Sequence, residues 1–302
     1  MTQPFPSGFE DALSDAVSNA VGGRLRHWKP LAQAAEHWVV RAETTEGDRL
    51  VVKLATQLAA VPSFTDAKAK HDLIRRLTAI PMSEMLAADD SMSNVPFRYS
   101  VQTELLGEEW FSRRSRLNEA ERGQALGHLG EIVGRLHAPT TEKFGLLPSP
   151  EAKAALDALE NHASRIIQRD DLRDQFIDLL HRHGNRWDNV IIPGITHDDL
   201  HGFNILFDPD QPTAVSGILD FDKAWSGPTE SDVARMELWH GMTDPSFLAS
   251  YRVLVPELAG YVDRRPYYQL LWCLEFGQTT AEHLKTTNQL AEQVGLPRLC
   301  QF

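Results

Sequence analysis

The sequence predicts an α+β protein in two lobes, a small β-rich one over residues 1–106 and a larger helical one over residues 107–302. Two patterns predict it: strand-like runs crowd into the first hundred residues, and helical periodicity takes over after Gly107. A chain of 302 residues, 42% hydrophobic and 24% charged, can bury a full core without disulfide or metal staples.

The elements follow in order. Ser7 and Glu10 have capping-box spacing, and Phe9, Leu13, Val17 and Val21 recur at helical intervals until Gly22-Gly23 ends the pattern. Residues 24–31 read as a strand ending near Pro30. Residues 37–43 and 49–54 read as two further strands joined by a Glu46-Gly47-Asp48 turn. A helix over 65–77, a loop rich in Ser, Asp and Met, and a closing strand over 97–106 complete the first part. In the second part, Ala125, Leu126, Leu129, Ile132, Val133 and Leu136 line one face of a long helix. Amphipathic stretches recur near 152–167, 171–182, 230–240, 246–254 and 266–284, around a short β-like island at 191–218. There is no internal repeat and no low-complexity tract.

Charge narrows the function classes. The net charge is −12, which argues against nucleic acid as a partner, because duplex binding needs phosphate-neutralising Lys and Arg. Residues 1–106 carry 11 basic and 13 acidic side chains, and residues 107–302 carry 19 and 29, so any acidic cleft that draws cationic ligands belongs to the second part, where the same charge also reads simply as a solvated, solubility-giving surface. The first 23 residues contain no Lys or Arg, and no apolar run approaches the roughly 20 residues of a membrane span. Cys273 and Cys300 read as reduced thiols. The expectation is a cytoplasmic protein with no membrane or nucleic-acid partner.

The densest polar cluster runs from Thr196 through His197-Asp198-Asp199-Leu200-His201-Gly202-Phe203 to Asn204. Leu219-Asp220-Phe221-Asp222 follows, with Asp220 sixteen residues after Asn204. Carboxylates set among apolar neighbours are costly unless a cation or hydrogen bonds hold them. An Asp five residues before an Asn, then a second Asp at the end of a hairpin, suits phosphoryl transfer with Mg²⁺. One carboxylate orients the attacking hydroxyl and takes its proton, while the amide oxygen and the other carboxylate hold hard metal ions against the triphosphate.

HDDLHGFN and LDFD resemble the catalytic loop and metal-binding Asp of the aminoglycoside phosphotransferase and choline kinase-like family, small-molecule relatives of protein kinases. Further similar features are Lys53 within Val51-Val52-Lys53-Leu54, the Glu104-Leu105-Leu106-Gly107 segment, Leu136-His137 followed by Phe144-Gly145, and Gly227-Pro228 with Asp232-Val233-Ala234. The resemblance implies a protein-kinase-like fold, with residues 1–106 as a nucleotide-binding lobe and residues 107–302 as a catalytic and acceptor-binding lobe. It implies Asp199 as catalytic base, Asn204 and Asp220 as Mg²⁺ ligands, and His197 as a structural anchor of the loop. It implies Lys53 on the phosphates of ATP or GTP, and the backbone of Glu104 to Leu106 against the adenine. Asp232 would brace the loop. The acceptor would be a small hydroxylated molecule of cationic character, such as an aminoglycoside, with antibiotic resistance as the outcome. A choline-, homoserine- or sugar-like metabolite is the alternative.

Three positions depart from the family pattern. Asp198 stands where Gly is usual, the turn over 31–36 contains no glycine, and Asp72 is the candidate for the acid that usually pairs with Lys53. His137 reads as a packed histidine without chemistry, Asp222 as a loop brace, Trp225 and Trp239 as core, and Glu230, Glu237 and Glu275 as acids on solvated helix faces. Two readings from other classes compete. His197 and His201 have the spacing of a zinc-peptidase H-E-x-x-H, although the acid is Asp198 and Gly202 breaks the helix that such a site needs. The missing glycines also suit a nucleotide-binding regulator without catalysis.

Overall fold

The computed structural model describes residues 5–33, 37–59, 61–187, 191–238, 241–276 and 280–298. Cys300, Trp239 and part of the glycine-free turn (34–36) lie outside these residues. The chain divides into two units: Met1–Leu77, Pro81–Gly107 and Ser216–Leu219 form one, while Thr78–Ile80, Glu108–Val215 and Asp220–Phe302 form the other.

In the first unit, helix α1 (Phe9–Val21) precedes strands β1 (Leu25–Gln33), β2 (His37–Thr44) and β3 (Arg49–Ala55). Helix α2 (Phe64–Leu77) and strands β4 (Met85–Asp89) and β5 (Arg98–Thr103) follow. The five strands make an antiparallel sheet in the order β1-β2-β3-β5-β4. Strand alternation buries Leu50, Val52 and Leu54 of β3 with Phe9, Leu13 and Val17 of α1 and with Val40, Tyr99 and Val101. Each such side chain stabilises the unit by roughly 1.5–3 kcal/mol relative to exposure. The same alternation turns Lys53 to the opposite face, where its strand neighbours are Val39 and Ser100.

Four local expectations differ from this structure. Helix α1 is capped by Gly8 at φ 77° without a side-chain cap, so the Ser7–Glu10 capping box does not form. Strand β1 continues through Pro30, because it is an edge strand where a missing N–H costs no ladder bond, and its register shifts just beyond, between Pro30 and Ala32. The segment read as a loop after α2 contains β4, whose Met-Leu-Ala-Ala-Asp sequence has little intrinsic strand preference and is held by pairing with β5. The 266–284 stretch is two helices, described below.

In the second unit, the short strand β6 (Glu108–Glu109) and helix α3 (Trp110–Arg113) lead to the long α4 (Glu119–His137). Asn118 and Glu121 cap α4 reciprocally, the Glu121 N–H donating to Asn118 Oδ1 at 3.0 Å and the Asn118 N–H to Glu121 Oε2 at 2.9 Å. Then come β7 (Gly145–Leu146), α5 (Ala155–Ile166), α6 (Asp170–Arg182), β8 (Pro193–Thr196) and β9 (Ile205–Phe207). Strand β10 (Val215–Ile218) spans the division between the units. The chain continues with β11 (Trp225–Pro228), α7 (Glu230–Met236), α8 (Pro245–Leu254), α9 (Tyr261–Glu275) and α10 (Ala281–Gln293). Strand β11 pairs antiparallel with both β7 and β8.

Helix α4 packs closely on α8 through Gly123, Gly127, Gly130 and Gly134. A Cβ at Gly130 would stand 2.3 Å from the Phe247 carbonyl oxygen. Gly130→Ala is therefore expected to destabilise the protein by about 1–3 kcal/mol, read as a lower denaturation midpoint.

Asp90 holds the start of α2: its carboxylate accepts from the Phe64 and Thr65 N–H groups at 3.1 and 2.8 Å and from Arg98 Nε at 2.8 Å. Burial opposes its charge, but the Thr65 N–H, Arg98 and the Phe64 N–H outweigh that and hold the acid well below the usual carboxylate range. A depressed folded-state pKa contributes stability that is complete above the unfolded value of about 4 and lost as pH falls. Asp90→Asn is expected to lower Tm at pH 7, with the gap to wild type closing as the medium is acidified.

Candidate active site

The segment from His197 to Asn204 links β8 to β9 as an irregular loop, so its backbone groups need partners from outside a ladder. Asp232 of α7 supplies them. Its carboxylate accepts the His197 N–H at 2.6 Å and the Asp198 N–H at 2.8 Å. His137, at the end of α4, contacts the same carboxylate through Nε2 at 3.1 Å, and its Nδ1 lies 3.0 Å from the Tyr251 hydroxyl. Asp232, His137 and His197 are all buried. His137 is thus packed and hydrogen-bonded, as the sequence suggested. The His197 ring packs on Phe221 at 4.5 Å between centroids, and its Nδ1 accepts the Asp199 N–H at 3.2 Å.

This bracing holds Asp198 at φ 64°, in the left-handed region where Gly is at ease and Asp is among the better-tolerated alternatives. The Asp198 carboxylate lies 2.9 Å from His162 Nε2 of α5 and 4.0 Å from Arg235. Burial works against its charge, yet His162, Arg235 and Lys223 overcome that and keep the acid below the ordinary carboxylate range. His162 is itself stacked on Trp225, with centroids 4.3 Å apart and planes 7° from parallel. Trp225 is core, as expected.

Asp199 is the next residue, and its two carboxylate oxygens have different surroundings. Oδ1 accepts from an Arg235 terminal nitrogen at 2.7 Å, whereas Oδ2 lies 3.7 Å from Lys223 Nζ. Arg235 also reaches Glu275 Oε2 at 3.5 Å, and Lys223 binds Glu275 Oε1 at 2.6 Å. The Arg235 guanidinium lies over the rings of Trp272 and Phe276, at 5.0 and 5.6 Å from their centroids. Burial raises Glu275 above the ordinary carboxylate range, against the lowering influence of Arg235 and Lys223.

Asn204 donates its Nδ2 to the Asp199 carbonyl at 3.0 Å, with His201 Nε2 at 3.3 Å from the same nitrogen. Its amide oxygen is thereby distinguished as the acceptor end of the side chain. Burial keeps the His201 imidazole below its ordinary pKa. Asp220 sits at φ 62° immediately before a 3₁₀ turn over Phe221–Lys223, the turn that brings Phe221 against His197 and Lys223 against Asp199. Among the described residues no group of three His, Cys, Asp or Glu is arranged to hold a metal. An amide oxygen and a carboxylate are nevertheless hard donors of the kind Mg²⁺ accepts when phosphates and water complete its shell.

The first unit carries the remaining sequence-derived candidates. The Glu104 side chain is buried by ion pairs to Arg41 and to Arg49, the latter at 2.9 Å, and its N–H donates to the Arg49 carbonyl at 2.9 Å. The Leu106 carbonyl accepts from Ser216 Oγ at 2.8 Å. Asp72 pairs with Lys68, one turn earlier on α2, at 2.8 Å.

Several expectations need correcting. Glu230 and Glu275 do not lie on solvated faces: Glu230 is buried and accepts from Arg264 at 2.6 and 2.9 Å, and Glu275 belongs to the Asp199 cluster. Glu237 is half-buried, 3.2 Å from the Tyr261 hydroxyl. His197 and His201 do not share a helical face, because the loop that bears them is not helical, so the zinc-peptidase geometry fails. Sequence reasoning missed Arg235, Lys223 and His162. Arg235 left a signal, standing three residues after Asp232 and set between the apolar Val233-Ala234 and Met236. His162 left another, on the apolar face of α5 beside Ala158 and Leu159.

Comparison with known proteins identifies the family. The model of the phosphotransferase enzyme family (APH) matches residues 27–265. The chain belongs to that family of protein-kinase-like small-molecule kinases. An 85-residue segment is 34% identical to a protein assigned as a ketoamine kinase in Enterococcus faecium, and spans 28% of each chain. A Thermobifida fusca structure assigned as a fructosamine-3-kinase superposes with a TM-score of 0.68 at 18% identity, covering 93% of this chain and 98% of that one. Aminoglycoside phosphotransferase APH(4)-Ia, captured with AMP-PNP and hygromycin B, gives a TM-score of 0.64 at 14% identity over 94% and 96% of the two chains. At these identities the structural likeness speaks for the kinase-like fold. No helix among the described residues is long and apolar enough to cross a membrane.

Because Asp232 accepts two backbone N–H groups in a buried site, Asp232→Ala leaves both unsatisfied. The expected cost is about 2–4 kcal/mol in chemical denaturation.

Proposed function

We propose that the protein transfers the γ-phosphoryl group of a nucleoside triphosphate to a hydroxyl of a small, amine-bearing acceptor. The observation that carries this reading is Asp199: its backbone is tied to His197 and Asn204, and Arg235 holds one carboxylate oxygen while the other is turned to the half-exposed Lys223. In this reading Asp199 takes the proton of the acceptor hydroxyl as that oxygen attacks the γ-phosphorus. The bond from the γ-phosphorus to the β,γ-bridging oxygen breaks, and the nucleoside diphosphate leaves.

Asn204, through its amide oxygen, and Asp220 would hold Mg²⁺, which when bound neutralises charge on the phosphates. Lys53 is assigned to the phosphates. With the Glu104 N–H and the Leu106 carbonyl already engaged, the Glu104 carbonyl and the Leu106 N–H are the groups assigned to the base of ATP or GTP. Residues 1–106 then act as the nucleotide-binding part and residues 107–302 as the catalytic and acceptor-binding part. Positioning and charge neutralisation supply most of the acceleration.

Hygromycin B, bound to one structural neighbour, and the ketoamine named for the sequence relative both combine hydroxyls with an amine. That shared chemistry supports a cationic acceptor. It leaves inactivation of an antibiotic and phosphorylation of a metabolite as two outcomes of the same recognition.

ATP consumption measured against a panel of aminoglycosides, ketoamines and amino alcohols tests the reading. Asp199→Asn is expected to lower kcat by about 10²–10⁴-fold with nucleotide affinity nearly unchanged. Turnover at the wild-type rate in that variant would remove Asp199 from the mechanism. Chelation of divalent ions is expected to abolish turnover and added Mg²⁺ to restore it.

A further inference from the structure

Behind the brace of the 197–204 loop lies a cavity of about 290 Å³ that shares no lining residue with the cluster around Asp199. It is built within the second unit, where α7 and the end of α4 meet α8 and the connection from α8 to α9. Val233, Leu248, Leu254, Val255, Pro256 and Leu258 give it a predominantly apolar wall. Ile192 and Leu254 are exposed and mark its mouth.

Protein interiors close at near-crystalline density and leave few voids larger than a water molecule. This one is nearly twice the roughly 150 Å³ of an apolar cavity that stays dry and takes up benzene. Water ordered there would need about two to four polar partners per molecule. The charged groups on the wall are already engaged: Glu230 accepts from Arg264 and Tyr268, and Arg252 pairs with Glu257. The Tyr261 hydroxyl donates to Glu237 at 3.2 Å. With those charges met inside the protein, the complementary ligand is uncharged, and it gains by displacing poorly held water from apolar surface.

The cavity also touches the machinery that shapes the loop. Tyr251 lines it, and the Tyr251 hydroxyl is 3.0 Å from His137 Nδ1. Burial raises the Tyr251 pKa above its ordinary value, so the hydroxyl keeps its proton and donates. His137 Nε2 then carries the ring proton and donates to Asp232 at 3.1 Å. Asp232 in turn accepts the His197 and Asp198 N–H groups. A short chain of hydrogen bonds therefore joins the cavity wall to the first amides of the loop.

We propose that this cavity binds an uncharged, largely apolar small molecule, and that its occupancy steadies the 197–204 loop through Tyr251, His137 and Asp232. At about 30 Å³ for each non-hydrogen atom, the share of one water in the liquid, the ligand has about ten such atoms. That is the size of a fused two-ring system or a short acyl chain. Packed against Tyr251 from the cavity side, it narrows the positions open to the ring and favours the bond to His137. Neither binding nor loop protection depends on phosphoryl transfer, so both are measurable whatever the outcome for Asp199→Asn.

The test sets two neutral probes, 2-naphthol and 1-octanol, against the charged analogues 2-naphthoate and octylammonium, on the full chain. A neutral probe at saturation is expected to raise the wild-type thermal midpoint by about 2 °C or more, and the charged analogues to leave it in place. A response to one neutral probe alone tells ring from chain. Val255→Trp and Leu258→Trp, each checked for folding by circular dichroism, place an indole in the cavity and should abolish the response. In wild type the probe is expected to slow hydrogen exchange at the His197 and Asp198 N–H groups by about threefold or more. Tyr251→Phe keeps its ring in the wall and should keep the thermal response, but lose the slowed exchange.

No response to either neutral probe, an equal response in both filled variants, or an equal response to the charged analogues would overturn the binding site. Binding that leaves exchange at His197 and Asp198 unchanged in wild type, or slowed exchange that persists in Tyr251→Phe, would overturn the coupling to the loop.

Discussion

The 197–204 loop keeps its shape because one buried carboxylate accepts the two backbone N–H groups with which it begins. A loop without a ladder must find partners for its amides elsewhere, and Asp232 takes both while also meeting His137. Its own helix is anchored in turn, since Glu230 at the start of α7 is clasped by Arg264 and Tyr268 of α9. The path from α9 through α7 to the loop consists of buried, charge-assisted contacts. Such contacts rigidify when complete and become costly when one member is lost.

Three aspartates within this frame behave differently because of what surrounds them. Asp198 is turned inward by its left-handed backbone, where its carboxylate meets His162 and Arg235. Asp199, one residue on, has one oxygen on a fixed guanidinium and the other toward a half-exposed ammonium. Asp220 owes its placement to a second left-handed turn and to the packing of Phe221 on His197. Backbone conformation thus sorts three chemically identical side chains into three settings.

The cluster around Arg235 also explains how an acidic chain can gather several carboxylates in one place. Each of Asp198, Asp199 and Glu275 shares a cation with another, so none is buried uncompensated. Burial still raises Glu275 above the ordinary carboxylate range, against Arg235 and Lys223.

The sequence by itself determined the order of elements, the β-rich beginning and helical continuation, the apolar face of α4, and the motif from which family membership could be read. These are local properties: strand alternation, helical periodicity and the spacing of HDDLHGFN from LDFD are written in neighbouring residues. It could not show β4, whose weak strand preference is overridden by pairing with β5, nor the course of β1 past Pro30, which depends on its being an edge strand. Nor could it show that Glu275 and Lys223, 52 residues apart, meet, or that His162 and Arg235 converge on Asp198. Only the tertiary structure decided those, because an ion pair between distant residues depends on helix packing in space and leaves no period or spacing along the chain.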